Sequence, residues 1–288
     1  MQSELVGHVK RLWRYPIKSM LGESPGRLII GPSGVVGDRG YALWDRSTAR
    51  VASAKNPRFW KQLLAFTAEY TCEPVAGEPL PTVSVTGPLA GVDEPAQTRC
   101  TDDPSLMALL STTFGRDISL LDFAPPGASL DQYWPDVPER DFQNVITELK
   151  MPEGTFFDAC SIHAISTATL EALKQREPDL DFAVERFRPN LLIEPTQGKD
   201  GFVEEGWVGG LLTIGEQLQL HVDGGCPRCV VTTLAQGNLP EEMGILRATA
   251  QHNKVTAGIR LSVVTSGAVE IGDPVHLSIN DTESIHQA

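Results

Sequence analysis

The sequence is poor in cysteine, with five in 288 residues: Cys72, Cys100, Cys160, Cys226 and Cys229. So few, so irregularly spaced, exclude a disulfide-stapled scaffold, and reduced thiols are expected. Positive charge is also scarce, with 24 Lys and Arg against 37 Asp and Glu and a net charge of -13. A chain of that sign repels nucleic-acid phosphates and anionic lipid, so neither nucleic acid nor membrane is expected as a partner. No run of about 18 apolar residues occurs, and the opening MQSELVGHVKRLWRYP lacks the apolar core of about 7–15 residues that marks a signal peptide. A soluble cytoplasmic protein is expected. With 41% hydrophobic and 21% charged residues, the chain can bury one large core or two smaller ones.

No internal repeat is visible. Two stretches rich in Pro, Gly and acid, Cys72 to Asp93 and Ala124 to Arg140, read as loops or linkers and divide about 120 N-terminal residues from a larger C-terminal region. Most of the remaining pattern is β. HVKRLWRYPI alternates until Pro16, LTIGEQLQLHV puts Leu218, Leu220 and Val222 on one face, and IRLSVVT and VHLSI behave alike. Helices are fewer. One has Asp102 or Asp103 as cap, Pro104 in its first turn, Leu106, Leu109, Leu110 and Phe114 inward and Gly115 as stop. Another runs from about Ser166 to Gln175, with Leu170 and Leu173 inward. Many short strands and few helices, without a βαβ rhythm, predict a β-rich α+β fold that is barrel-like.

The stretch GGCPRCVVTT, Gly224 to Thr233, places two cysteines in a C-x-x-C spacing. Such a pair can be a redox couple, half a zinc site, one thiolate for another metal, or two small core residues. A redox couple needs its first cysteine at a helix N-terminus, whereas here a strand and a Gly-Gly turn precede the pair and the β-favouring run VVTT follows. A structural zinc site wants four Cys or His ligands, yet there is one C-x-x-C pair and no H-x₃₋₅-H after it. The metal-thiolate and core readings stay open on these residues alone.

Other short segments accompany the pair in order: YPIKS (15–19), GDRGYALWD (37–45), FRPN (187–190), CPRCVVTT (226–233) and GDPV (272–275), together with EEGWVGGLLTIG. Together they resemble the MOSC family of molybdenum-cofactor proteins with its N-terminal β-barrel region, over about residues 5 to 280, and most of all its amidoxime-reducing enzymes and their bacterial counterparts. The resemblance implies an N-terminal β-barrel region at 1–122, a cofactor-binding MOSC domain at 123–280 and a tail at 281–288.

It also implies residue roles. Cys229 would be the protein ligand of molybdenum, and therefore the catalytic residue, since a soft thiolate suits such a metal and a coordinated thiol is deprotonated. Cys226 becomes its neighbour. Lys18, Ser19, Arg39, Arg188 and Asn190 would hold the pterin and phosphate of the molybdenum cofactor, a Mo-molybdopterin, because Arg offers a planar fork and Lys a point charge to phosphate. Pro227 and Arg228, between the cysteines, would also contact the cofactor, with Arg228 holding its negative charge. Ala159 and Cys160 stand where relatives use small hydroxyl residues and backbone, and Arg260 stands where relatives often have Tyr. His163, in the apolar run CSIHAIS, reads as a core histidine or one behind the site rather than a ligand. Asp158 could accept a hydrogen bond nearby, and Cys72 and Cys100, outside every motif, read as structural.

The implied activity is reduction of small N-hydroxylated compounds, such as amidoximes, by oxygen-atom transfer. No cysteine follows Cys229 and no G-x-G-x-x-G follows a strand, so the electrons are expected from a separate donor of ferredoxin or flavin-reductase type. The rival expectation is a sulfur carrier or cofactor-delivery protein without turnover.

Overall fold

In the computed structural model, residues 3–88, 96–135 and 144–279 are described. The tail at 281–288, and the last part of the stretch Ala124 to Arg140, lie outside them. Seven strands close into a barrel: β1 (Ser3–Leu12), β2 (Ile162–Ser166), β3 (Leu191–Pro195), β4 (Leu211–Ile214), β5 (Leu218–Pro227), β6 (Thr256–Thr265) and β7 (Pro274–Ser278). Their order is β1–β3–β2–β6–β5–β4–β7, with β7 returning to β1. Every pair is antiparallel except β2 with β3. A parallel pair cannot be joined by a tight hairpin, so the chain between β2 and β3 makes a crossover through a helix at Thr167–Arg176.

Alternation fills the barrel. Leu218, Leu220 and Val222 of β5 and Ile259 and Leu261 of β6 are fully buried, with Val222 opposite Leu261. Each such side chain contributes about 1.5–3 kcal/mol on leaving water. Residues 27–121 build smaller three-stranded sheets over a second core around Met20, Leu63, Phe66, Leu106 and Leu110. Strand Arg27–Gly31 pairs with Gly267–Glu270, and β1 pairs with β3 and β7, so the N-terminal segment is stitched to residues far along the chain.

Helix α1 (Pro104–Phe114) has the expected signals: Asp103 Oδ1 accepts from the Ser105 amide at 2.8 Å, and Gly115 ends it at φ 62°. Helix α2 (Thr167–Arg176) is capped by Ser166, whose Oγ accepts from the Thr169 amide at 3.0 Å. Helix α3 (Gly244–Asn253), which no sequence signal announced, packs with α2 on a third cluster containing Trp13, Tyr15, Phe187 and Leu192.

Three expectations need correction. VVTT forms a 3₁₀ turn, Val230–Thr233, in which Thr232 Oγ donates to the Cys229 carbonyl at 3.0 Å and Thr233 Oγ to the Val230 carbonyl at 2.7 Å. These local bonds compete with a strand ladder. The glycines before Cys226 are no turn, because β5 runs on through Pro227 and absorbs them in register shifts at Val222/Gly224 and Gly225/Pro227. The two presumed loops each contain a strand, Val83–Gly87 and Ser129–Trp134.

Glu204 is buried at 1% exposure in a 3₁₀ turn, Val203–Trp207. Its carboxylate accepts from the Ser166 amide (3.2 Å), Ser166 Oγ (2.6 Å) and Thr169 Oγ (2.8 Å), tying that turn to the start of α2. Glu204→Ala leaves these buried donors without their acceptor, at about 1–3 kcal/mol for each such group. We expect a loss of about 3 kcal/mol or more, read as a lower urea midpoint at unchanged slope.

Candidate functional site

At one end of the barrel, β5 runs out at Pro227 and the 3₁₀ turn Val230–Thr233 begins, leaving Cys229 between them. Buried Arg186 holds this turn, donating to the carbonyls of Asp181 (2.9 Å), Pro240 (2.9 Å) and Thr232 (3.5 Å). Beside Cys229 lies a cavity of about 160 Å3. All eleven residues singled out from the motifs line it: Lys18, Ser19, Arg39, Ala159, Cys160, Arg188, Asn190, Pro227, Arg228, Cys229 and Arg260. So do Asp158, His163 and Cys226, then Phe187 and Val231, which lie within FRPN and CPRCVVTT, and two residues outside every motif, Ser53 and Lys55. Cys72, by contrast, is exposed and Cys100 half-buried, and neither lines the cavity.

The N-terminal segment is drawn in by Tyr15. Its amide donates to Asp38 Oδ1 at 2.7 Å, its carbonyl accepts from the Arg39 amide at 2.7 Å, and its hydroxyl donates to the Pro189 carbonyl at 3.1 Å. The guanidinium carbons of Arg39 and Arg188 lie 4.8 Å and 4.3 Å from its ring centre. Burial pushes the Tyr15 phenol above its ordinary range, so it stays a neutral donor.

Ser19, Arg39 and Arg188 all adopt left-handed backbone, at φ 65°, 50° and 51°. They are three of the seven non-glycine residues with positive φ in the described chain. That conformation costs about 1–2 kcal/mol for a residue with a Cβ, so tertiary bonds must hold it. Arg39 donates to Asp38 and Arg188 Nη2 to the Met20 carbonyl at 2.8 Å, while Ser19 Oγ accepts from the Ala54 amide at 3.0 Å. Arg188 Nη1 is buried with no partner among the described residues. Burial lowers the Arg188 pKa to about 10.

On another wall, Lys18 Nζ donates to the Phe156 carbonyl at 2.5 Å and to Asp158 Oδ1 at 2.6 Å, while Lys55 Nζ lies 3.2 Å from Asp158 Oδ2. Burial alone would raise the Asp158 carboxyl, but the ammonium groups of Lys18 and Lys55 hold it well below the carboxylate range. Burial pushes the Lys18 ammonium down, against Asp158. Lys55 carries no motif, sitting in the plain stretch SAKNP, so only folding brought it here.

Three thiols, of Cys160, Cys226 and Cys229, line the same space. Arg228 Nη1 donates to Cys226 Sγ at 3.1 Å and lies 3.3 Å from His163 Nε2, and Arg228 Nη2 donates to the Phe187 carbonyl at 2.6 Å. A hydrogen bond from Cys160 holds the Cys226 thiol well below its ordinary range, against burial, with His163 and Arg228 adding to it. Cys160 is pushed up by the same bond and by burial. His163 is buried on β2, where Asn190 Oδ1 accepts from its amide at 3.1 Å and its carbonyl accepts from the Asn190 amide at 2.7 Å. Gly258, at φ 81°, leaves it room, since a Cβ there would stand 2.5 Å from His163 Nε2. Arg260, paired with His163 across β2 and β6, donates from Nε to the Gly225 carbonyl at 3.0 Å.

The family model described as MOSC domain matches residues 152–276, and that described as MOSC N-terminal beta barrel domain matches residues 6–75. The chain therefore carries a MOSC domain preceded by a MOSC N-terminal β-barrel domain. One curated relative is mitochondrial amidoxime reducing component 2 of Rattus norvegicus, 25% identical over 97% of this chain and 86% of that protein. Among solved structures, the YUAD protein from Bacillus subtilis is similar over 96% of this chain and 97% of that one, at 13% identity and a TM-score of 0.48. YiiM from Geobacillus stearothermophilus covers 50% of this chain and 72% of its own, at 14% identity and a TM-score of 0.34. No helix among the described residues is long and apolar enough to cross a membrane.

Two outcomes check this geometry. Tyr15→Ala removes a buried aromatic and is expected to cost about 3–5 kcal/mol in denaturant unfolding, whereas Tyr15→Phe keeps the ring and costs about 1–2 kcal/mol. Asp158 has a depressed folded pKa, so its contribution is present above the unfolded value near 4 and is lost as pH falls towards the folded one. Between about pH 4 and 2 the wild type should therefore lose stability faster than Asp158→Asn, in parallel melts.

Proposed function

We propose that this chain is a molybdenum-cofactor oxidoreductase that reduces N-hydroxylated compounds of the amidoxime type. The observation that carries the reading is charge. Six of the 24 Lys and Arg residues of a chain with net charge -13 line one cavity: Lys18, Arg39, Lys55, Arg188, Arg228 and Arg260. Among the described residues only one carboxylate, Asp158, lines it with them, and three thiols stand there too. Such a pocket attracts a multiply charged anion that also offers a metal to a soft ligand.

The donor set fits a pterin phosphate bearing molybdenum. Arg188 Nη1, buried without an acceptor, is a donor that an anionic oxygen would satisfy. Arg39, Arg260, Lys18 and Ser19 would hold the phosphate and pterin edge, with Asn190 and the backbone near Ala159, Cys160, Pro227 and Arg228 completing the wall. Cys229 would be the protein ligand of the metal. Among the described residues no three His, Cys, Asp or Glu side chains gather as a metal site, so the remaining ligands would come from the cofactor's own sulfurs. At about 160 Å3 the cavity is smaller than the roughly 300–1,000 Å3 of a pocket that encloses its ligand, so it would grip one face of such a group.

A bound molybdenum cofactor supplies two-electron chemistry with acceptance of an oxygen atom. The chain's own part is to orient substrate and carry protons. Removing oxygen from an N–OH group as water takes two electrons and two protons. The electrons would come from a separate ferredoxin or flavin reductase. The division into residues 1–122 and 123–280 goes with this reading, as does the likeness to an amidoxime reducing component over nearly the whole chain.

Metal analysis tests the assignment. We expect about one molybdenum per freshly purified chain, lost in Cys229→Ala and kept in Cys226→Ala. Arg188→Ala should lower retention of the cofactor. With a chemical reductant and an amidoxime substrate, the loaded protein should release the amidine. Equal loss of metal in both cysteine variants contradicts the Cys229 assignment, and a loaded protein that never turns over supports a carrier or delivery role.

A further inference from the structure

The thiols of Cys226 and Cys160 are not used by the reading above, which asks for one thiolate, that of Cys229. They reach the cavity from different strands, Cys226 near the end of β5 and Cys160 just before β2, and both strands flank β6. The two register shifts in β5 on either side of Gly225 bend it where it delivers Cys226. Both side chains line the same cavity, and Arg228 Nη1 stands 3.1 Å from Cys226 Sγ. Neither is fully buried and neither is in a disulfide.

We infer that Cys226 and Cys160 form a peroxide-reactive pair: a hydroperoxide oxidises Cys226, and Cys160 then resolves it into a disulfide across the cavity wall. A guanidinium beside a sulfur favours its thiolate, which is the nucleophilic form, and a second thiol lining the same small cavity can act without a large movement. In the first step the Cys226 thiolate attacks the peroxide, an S–O bond forms, the O–O bond breaks and hydroxide (or alkoxide) leaves, giving a sulfenic acid. In the second, Cys160 sulfur attacks Cys226 sulfur, the S–O bond breaks and water leaves with the thiol proton. The pair loses two electrons and the peroxide gains them. An added dithiol reverses the link by exchange. The Cys226–Cys229 spacing offers a competing bridge, which the peptide map below distinguishes.

The test uses the full-length chain, reduced and then exposed to a small excess of hydrogen peroxide before alkylation and peptide mapping by mass spectrometry without reductant. We expect a Cys160–Cys226 linked peptide with loss of two hydrogens, reversed by dithiothreitol. Cys226 should be consumed at least about tenfold faster than exposed Cys72, because the thiolate is the reactive form. In Cys160→Ser a sulfenic acid at Cys226 should accumulate and be trapped by dimedone, whereas Cys229→Ser should keep the link. The native chain carries the decisive readout, so a variant that misfolds does not spoil the test. A Cys226–Cys229 bridge, or Cys226 left unmodified while Cys72 is oxidised, overturns the inference. Both results are independent of molybdenum content, measured on the same sample.

Discussion

Tyr15 joins three segments that lie far apart in the chain. Its backbone engages Asp38 and Arg39, its hydroxyl engages Pro189, and its ring lies beside the guanidinium groups of both Arg39 and Arg188. Without this anchor, two of the cations on the cavity wall would have neither a fixed backbone nor a surface to lie on. The neighbouring prolines Pro16 and Pro189 limit the freedom of the same turns. An aromatic ring suits this task, because it fills the space between strands while its hydroxyl and the backbone on either side of it meet polar partners.

Charge in the cavity is built against burial. Lys18 is 4% exposed and is stabilised by one carbonyl and by Asp158, which also takes Lys55. Arg186 and Glu204, equally buried, show the other solution used here: each is surrounded by backbone or hydroxyl partners and serves to hold a turn. The difference between these two kinds of buried charge separates framework from site. Framework charges are saturated by their neighbours, while Arg188 keeps a donor with no partner and three site residues keep strained backbone.

Much of the framework was legible. The alternation in LQLHV and IRLSVV placed Leu218, Leu220, Val222, Ile259 and Leu261 inside the barrel, because a strand sends every second side chain to one face. Asp103, Pro104 and Gly115 bounded α1 because caps act through bonds within a few residues. VVTT misled because β-branched residues favour strands on average, whereas here two threonine hydroxyls turned inward on their own backbone. The glycines at 224 and 225 misled for a related reason: a register shift is set by the neighbouring strand β6, not by the local sequence.

The motif residues could be named from the chain because their types suit anion and metal chemistry and their order resembles a known family. Their convergence on one cavity could not be read there, nor could Lys55 and Ser53, which carry no local signal. Sequence alone determined the alternation, the helix caps and the scarcity of thiols and cations, since each is a property of composition or of residues within one turn. Tertiary structure decided which cations surround the thiols, which backbone is forced left-handed and which cysteines share the cavity, because those depend on contacts between segments from tens of residues to more than a hundred apart, and no local preference encodes a distance of that kind.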